Sequence, residues 1–137
     1  MKKSSKLFKI KIIIWIILNI LFVKLLKRKI NIKKLAGIYV PKIFIKKNVP
    51  PCWYDKWVTR FSKILSSNPN CLEKSLLLYH LLNKYVAPEF EFHIGISNQT
   101  KLEGHSWIKC NNKKLFDTVN DKSKNYSTII SFFPKET

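Results

Sequence analysis

The chain has 137 residues, enough for one modest domain and too few for two ordinary ones. Its net charge of +18 comes mostly from lysine, because only Arg28 and Arg60 among its 26 basic residues are arginine. Arginine makes the bidentate contacts that read phosphates and bases, so this composition argues against a nucleic-acid-binding protein. Three cysteines without a CxxC spacing indicate a reducing compartment, and three widely separated histidines predict no metal site.

The first thirty residues form a segment of their own. Residues 11–26 (KIIIWIILNILFVKLL) begin with Lys11 and are otherwise apolar except at Asn19 and Lys24. Further lysines lie on both sides of this segment. The run is longer than most core segments and shorter than a typical membrane span, and no small-residue cleavage site follows it. We therefore expect a retained apolar helix in residues 1–30. It would span the inner membrane, lie on that membrane with its lysines near anionic lipid, or pack on the domain.

The next segment, residues 31–62, is predicted to be connecting structure because Gly37, Pro41 and Pro50-Pro51 interrupt it. A short helix is predicted around WYDKWVTRFSKIL, where aromatic residues recur at helical spacing. These aromatic side chains are expected in the core rather than at a ligand site.

A third helix is predicted to begin within NPNCLEKSLLLYHLL, residues 68–82. Asn70 is a favoured N-cap residue, Glu73 stands where a capping-box acid would reach back to it, and Pro88 limits the helix on the far side. Cys71 then lies in the first turn, where unpaired backbone N–H groups and the helix dipole lower the pKa of a thiol. A buried, unreactive cysteine is the alternative, and position alone does not decide between the two.

The second half of the chain is predicted to be antiparallel sheet. FEFHIGIS, residues 90–97, alternates strictly and predicts a half-buried strand, with His93 on the face opposite the phenylalanines. HSWIKCNNKKLFDT, residues 105–118, predicts two short strands joined near Asn111-Asn112. Helices followed by antiparallel strands indicate the α+β fold class.

The hairpin loop decides which side chains share a face. A two-residue loop at Asn111 and Asn112 would put His105 and Asp117 on opposite faces of the sheet. A three-residue loop that includes Cys110 would pair His105 with Asp117 and give them one face. We expect the longer loop.

Three residues then form a candidate catalytic set. Cys71 opens a helix, His105 opens a strand, and Asp117 lies on the strand that returns beside it. A cysteine nucleophile needs a base to take its proton, and the base needs a group to fix its tautomer. The simpler interpretation is a core cysteine, a polar strand-edge histidine and a solvated acid near a turn.

These residues carry a resemblance to a known family. CLEKSLLLYHLL, FHIGIS, GHSWIK and an aspartate twelve residues after the histidine occur in this order, and together they resemble the B proteins of lasso-peptide biosynthesis. Those proteins are transglutaminase-like cysteine proteases that remove a leader peptide. The resemblance implies Cys71 as nucleophile, His105 as general base and then acid, and Asp117 as the orienting carboxylate.

The resemblance also implies an architecture and partners. The fold would be a transglutaminase-like or papain-like core in residues 31–137, with its centre at about 60–120 and the nucleophile helix packed on a small antiparallel sheet. Because no recognition domain is visible before the core, the chain is similar to the stand-alone protease type. It would act in the cytoplasm without a cofactor on a precursor peptide. Its implied partners are a separate leader-recognition protein and the macrolactam synthetase of the pathway.

Some features depart from the family, and two other functions stay open. Gly104 and Ser106 flank the histidine where the family often has alanine, and Lys109 stands where an acid is common. The same three residues would also serve a transglutaminase-like acyltransferase or amidase. A membrane-attached scaffold with a vestigial site is the other alternative. The second donor to an oxyanion is left open, with Asn70 and Gln99 as candidates.

Overall fold

The computed structural model describes residues 5–26, 28–65, 71–97, 103–115 and 127–133. In this part of the chain, four α-helices precede four β-strands. The helices are α1 (Lys6–Leu26), α2 (Ile32–Ile38), α3 (Pro51–Leu65) and α4 (Cys71–Tyr85), and the strands are β1 (Glu91–Ser97), β2 (Glu103–Cys110), β3 (Lys113–Leu115) and β4 (Ser127–Phe132). The predicted α+β class is confirmed.

The described strands form one antiparallel sheet in the order β3-β2-β1-β4. Strand β4 was not predicted, and a register shift explains why. Ile94 pairs with Ile130 while Gly95 pairs with Thr128, so β4 contains one extra residue between these two pairs. Such a bulge breaks the alternation of apolar and polar residues by which a strand is recognised.

Helix α4 is the centre of the core, and it packs against β1 and β2 on one side and α3 and α1 on the other. Its apolar residues cover more than one face, and six of them are fully buried: Leu76, Leu77, Leu78, Tyr79, Leu81 and Leu82. Asn83 is buried as well, and its side chain bonds to both the N–H and the carbonyl of Phe90 at 3.0 and 2.9 Å. These hydrogen bonds therefore hold the C-terminal end of α4 to the residue that precedes β1.

Helix α1 (Lys6–Leu26) lies within residues 1–30, where the sequence predicted an apolar helix. One face, which carries Ile12, Ile16, Ile20 and Val23, belongs to the same buried cluster as α4. The two polar interruptions also dock the helix. Asn19 accepts a hydrogen bond from the Tyr39 hydroxyl at 2.9 Å, and Lys24 donates to the Leu65 carbonyl. Among the described helices, none has the length and apolar character needed to cross a bilayer.

His80 links α4 to the segment that follows α2. Its ring stacks on Trp15 with centroids 4.9 Å apart, and Nδ1 lies 3.0 Å from the Tyr39 carbonyl, to which it donates. Burial lowers the pKa of His80 to about 4, and it outweighs the opposing effect of that hydrogen bond. This histidine is a neutral packing residue at neutral pH.

Helix α2 lies in a segment that was predicted to be connecting structure. Asn31 caps it by accepting hydrogen bonds from the N–H groups of Lys33 and Lys34 at 2.8 and 3.1 Å. Leu35 and Ala36 are buried, and Gly37 lies inside the helix. A good N-cap and two core contacts therefore outweigh the unfavourable helix propensity of one glycine.

The predicted three-residue hairpin loop was wrong. Cys110 pairs with Lys113 and Lys109 with Lys114, so the connection is the two-residue turn at Asn111 and Asn112. Both asparagines have positive φ, 51° and 62°. Asparagine tolerates this conformation, and a two-residue turn with both φ positive matches the twist of the strands it joins. The argument that placed Asp117 opposite His105 therefore loses its basis, and Asp117 lies outside the described residues.

Candidate active site

Cys71 is the first residue of α4 and is half-buried. Its thiol makes hydrogen bonds with the side chain of His105, the side chain of Ser106 and the backbone of Ser106. The side chains of His105 and Ser106 are consecutive in β2 and therefore point to opposite faces of the sheet. Because the Cys71 thiol contacts both of them and the Ser106 backbone, it lies at the edge of β2. The packing of α4 on the sheet thus brings the predicted nucleophile and the predicted base together.

The surroundings of Cys71 favour its thiolate. Burial of the thiol opposes ionisation, but the hydrogen bonds from His105 and from the Ser106 side chain and backbone, together with the charge of His105, outweigh it. The pKa of Cys71 is therefore below its ordinary value. The helix N-terminus acts in the same direction, because its free N–H groups favour an anion.

His105 is buried, and its ring belongs to an aromatic stack. It lies 5.8 Å from Trp107 with an angle of 24° between the planes, and Trp107 in turn lies 6.0 Å from His93 at 8°. The stack follows from the register, since His93 pairs with Trp107 and Gly95 with His105 on adjacent strands. Stacking on Trp107 restricts the orientation of the imidazole ring, and it therefore limits the directions in which the His105 nitrogens can form hydrogen bonds.

Gly95 makes room for this stack. A Cβ built at Gly95 would lie 2.7 Å from the Trp107 ring and 2.7 Å from the Ser127 carbonyl. Real Cβ atoms do not approach other atoms so closely, so a side chain here would displace Trp107 or separate β1 from β4. The glycine that the sequence places in FHIGIS therefore allows the close packing beside His105.

His93 is buried, although the alternation of the strand placed it on the more polar face. Its Nε2 lies 2.8 Å from a Glu91 carboxylate oxygen, and the Ser131 hydroxyl lies 2.8 Å from Nδ1. Because a carboxylate only accepts, Nε2–H donates to Glu91, and Nδ1 forms a second hydrogen bond with the Ser131 hydroxyl. His93 is thus held by a hydrogen bond at each nitrogen, and its ring stacks on Trp107.

Ser106 contacts the candidate nucleophile, and the sequence reasoning gave it no role. It was noted only as a small neighbour of the histidine, but it is buried and bonds to the Cys71 thiol. Its hydroxyl also lies 3.3 Å from that of Ser75, one turn into α4. Hydroxyls rotate, so Ser75 can donate to Ser106 while Ser106 donates to the thiolate. A serine beside a candidate base, on the face that meets the nucleophile helix, was the available signal.

Three predicted groups cannot be placed. Asp117 and the two candidate oxyanion donors, Asn70 and Gln99, lie outside the described residues. Glu73, predicted as the capping-box partner of Asn70, is fully buried in the first turn of α4. The described part of the site therefore consists of Cys71, His105 and the side chains that hold them.

The arrangement can carry out nucleophilic chemistry on an acyl group. A thiol of lowered pKa at a helix N-terminus attacks a carbonyl, a neighbouring imidazole moves the proton, and backbone N–H groups at the helix start can hold the developing oxyanion.

Comparison with known proteins places the chain in a family. No curated protein and no solved structure matches the chain. The model of the transglutaminase-like superfamily, whose members are usually cysteine-dependent enzymes, matches residues 54–131. The match covers more than half of the chain and includes α4, β1, β2 and β3. The chain therefore belongs to the transglutaminase-like superfamily.

Proposed function

We propose that this protein is a cysteine peptidase that removes the leader from a lasso-peptide precursor. The observation that carries the proposal is the contact of the Cys71 thiol with His105 and Ser106 at the start of α4. Membership of the transglutaminase-like superfamily fits a thiol enzyme. The choice of a leader peptide as substrate rests on the resemblance of CLEKSLLLYHLL, FHIGIS and GHSWIK to the B proteins of lasso-peptide biosynthesis.

In the first chemical step, the Cys71 sulfur attacks the carbonyl carbon at the end of the leader. His105 has taken the thiol proton, and the imidazolium returns it to the nitrogen of the leaving core peptide as the C–N bond breaks. The backbone N–H of Cys71 donates to the oxyanion during this step. The products are a thioester on Cys71 and a core peptide with a free amine.

In the second step, water replaces the leaving amine. His105 accepts a proton from the water, whose oxygen attacks the thioester carbon, and the C–S bond breaks to release the leader as a carboxylic acid. Ser106 stabilises the thiolate that is regenerated. Asp117 is proposed, from the resemblance alone, to orient His105 as the third member of a triad.

The same resemblance supplies the proposed partners. A separate leader-recognition protein would deliver the precursor, and a macrolactam synthetase would receive the core peptide whose amine the cleavage frees. A cytoplasmic location fits the three cysteines of the described chain, which are all free thiols.

The test is a cleavage assay. The full chain is incubated with the candidate leader-recognition protein and precursor peptide, and the products are identified by mass. We expect cleavage at one leader junction, with water added across the broken bond. A product in which an added amine has replaced the core peptide would instead indicate an acyltransferase. An unchanged precursor in the presence of a folded, alkylatable Cys71 would contradict the peptidase proposal.

A further inference from the structure

The outward face of α1 is apolar except near its N-terminal end, where Lys11 is exposed between Leu7 and Ile14. Seven large hydrophobic side chains are between 44% and 71% exposed, and we call them the α1 stripe: Leu7, Ile10, Ile14, Leu18, Leu21, Phe22 and Leu25. Leu7, Ile14, Leu18, Leu21 and Leu25 follow one another at intervals of seven, four, three and four residues, which places them on one side of a helix. From Leu7 to Leu25 the stripe extends for about 27 Å.

The stripe is distinct from the surface by which α1 joins the domain. Ile12, Ile16, Ile20 and Val23 are buried on the other side of the helix, against the core. A helix that is apolar all round is normally covered on every side. Contiguous exposed apolar side chains mark interaction sites, so the stripe indicates a docking surface.

The charges around the stripe point to the occupant. Lys6, Lys9 and Lys11 lie at the N-terminal end of α1, and Lys29, Lys33 and Lys34 follow its C-terminal end. The whole chain carries +18, so a second copy would be repelled, whereas an anionic bilayer would be attracted. In an interfacial helix, apolar side chains enter the acyl boundary while nearby lysines meet anionic headgroups, and the exposed side chains of α1 and its flanks offer both.

We propose that α1 is a docking helix for an anionic membrane surface. It lies parallel to the bilayer, with the α1 stripe in the acyl boundary and the flanking lysines at the lipid headgroups. The buried face of α1 stays on the protein, so the domain rests on the membrane through this one helix. The proposal is independent of the peptidase activity.

The experiment measures binding of the full chain to lipid vesicles by co-sedimentation. Vesicles of phosphatidylcholine with added phosphatidylglycerol are compared with vesicles of phosphatidylcholine alone. Leu18→Glu, in the middle of the stripe, is compared with Ile64→Glu on α3, which changes an equally exposed side chain outside the stripe. Circular dichroism confirms that both variants are folded. Deleting α1 would be a poorer test, because it would also expose the core.

We expect binding to phosphatidylglycerol vesicles that weakens in salt. Leu18→Glu should lower the partition coefficient at least about tenfold, since one buried leucine contributes about that factor, whereas Ile64→Glu should change it by less than about threefold. Three outcomes would overturn the proposal: no vesicle binding by the wild-type chain, equal losses in both variants, or a dimer without vesicles that Leu18→Glu makes monomeric. The last would assign the stripe to contact between copies of the chain.

Discussion

Cys71, which contacts β2 from α4, and Cys110, the last residue of β2, are both half-buried thiols, yet their surroundings change the thiol pKa in opposite directions. At Cys71, hydrogen-bond donors outweigh burial and lower the pKa. At Cys110, burial, a hydrogen bond to Glu89 at 3.5 Å and the charges of Glu89 and Glu91 all raise the pKa. The difference shows that the neighbours of a thiol, rather than its exposure, decide whether it is ready to react.

The largest effect that this comparison predicts is on catalysis. Cys71→Ala should lower the rate of precursor cleavage by at least about 10⁴-fold, because it removes the nucleophile. The fold should persist, since a half-buried residue in the first turn contributes little core volume. Cys110→Ala is the matched control and should keep nearly full activity. Cleavage by Cys71→Ala at close to the wild-type rate would exclude Cys71 as nucleophile.

The second-largest predicted effect distinguishes the role of His105 from that of His80. His105→Gln should reduce cleavage by at least about 10³-fold, because glutamine can form hydrogen bonds but cannot carry the proton. It should also slow alkylation of Cys71 at pH 7, because it removes a charge and a donor that stabilise the thiolate. His80→Gln changes a packing histidine and should leave both rates within about threefold, measured on protein with unchanged circular dichroism. Similar losses in both variants would indicate a purely structural role for His105.

The Asp117→Asn variant tests whether the Cys71 site is a triad or a dyad. If Asp117 orients His105, Asp117→Asn should reduce cleavage by about a hundredfold or more, because the imidazole loses its preferred tautomer. Asp121→Asn, four residues further on, is the control and should have little effect. A wild-type rate for Asp117→Asn would reduce the site to Cys71 and His105.

The smallest effect concerns the stack that limits His105. Gly95→Ala should lower the free energy of unfolding by about 1–3 kcal/mol, because its Cβ would collide with Trp107. Cleavage should fall with it by about tenfold as His105 loses the stacking surface, while alkylation of Cys110 stays unchanged. At Gly104 a Cβ would meet nothing within 4 Å, so Gly104→Ala is the matched control for urea denaturation. Equal stability of the two variants would contradict the packing role of Gly95.

The sequence predicted the elements whose signals are local. The long apolar run after Lys11, the leucines that follow the N-cap signal before Cys71 and the strict alternation around His93 are local signals, so α1, α4 and β1 could be predicted. Cys71 and His105 could be paired because a helix N-terminus activates a thiol and a cysteine nucleophile needs a base. Their contact at the edge of β2 agrees with that reasoning.

The remaining features depend on contacts that the sequence pattern does not contain. A bulge removes the alternation of β4, so its pairing with β1 could not be recognised. The hairpin register depends on whether the loop has two or three residues. The three-residue loop was predicted because it would put His105 and Asp117 on one face, but the two asparagines favour the two-residue turn that the structure has. The role of Ser106 depends on how α4 packs against β2, which no local pattern encodes.

The most direct test of the activated Cys71 site is the pH dependence of alkylation by iodoacetamide, measured for each cysteine by peptide mass spectrometry on the folded chain. The rate follows the thiolate fraction, which rises with pH through the pKa of each thiol. The Cys71 rate should reach half its maximum below the ordinary thiol pKa of about 8.5, and the Cys110 rate should do so above it. At pH 7, Cys71 should also react much faster than the exposed Cys52. Equal midpoints for Cys71 and Cys110, or a Cys71 midpoint above the ordinary value, would contradict the account.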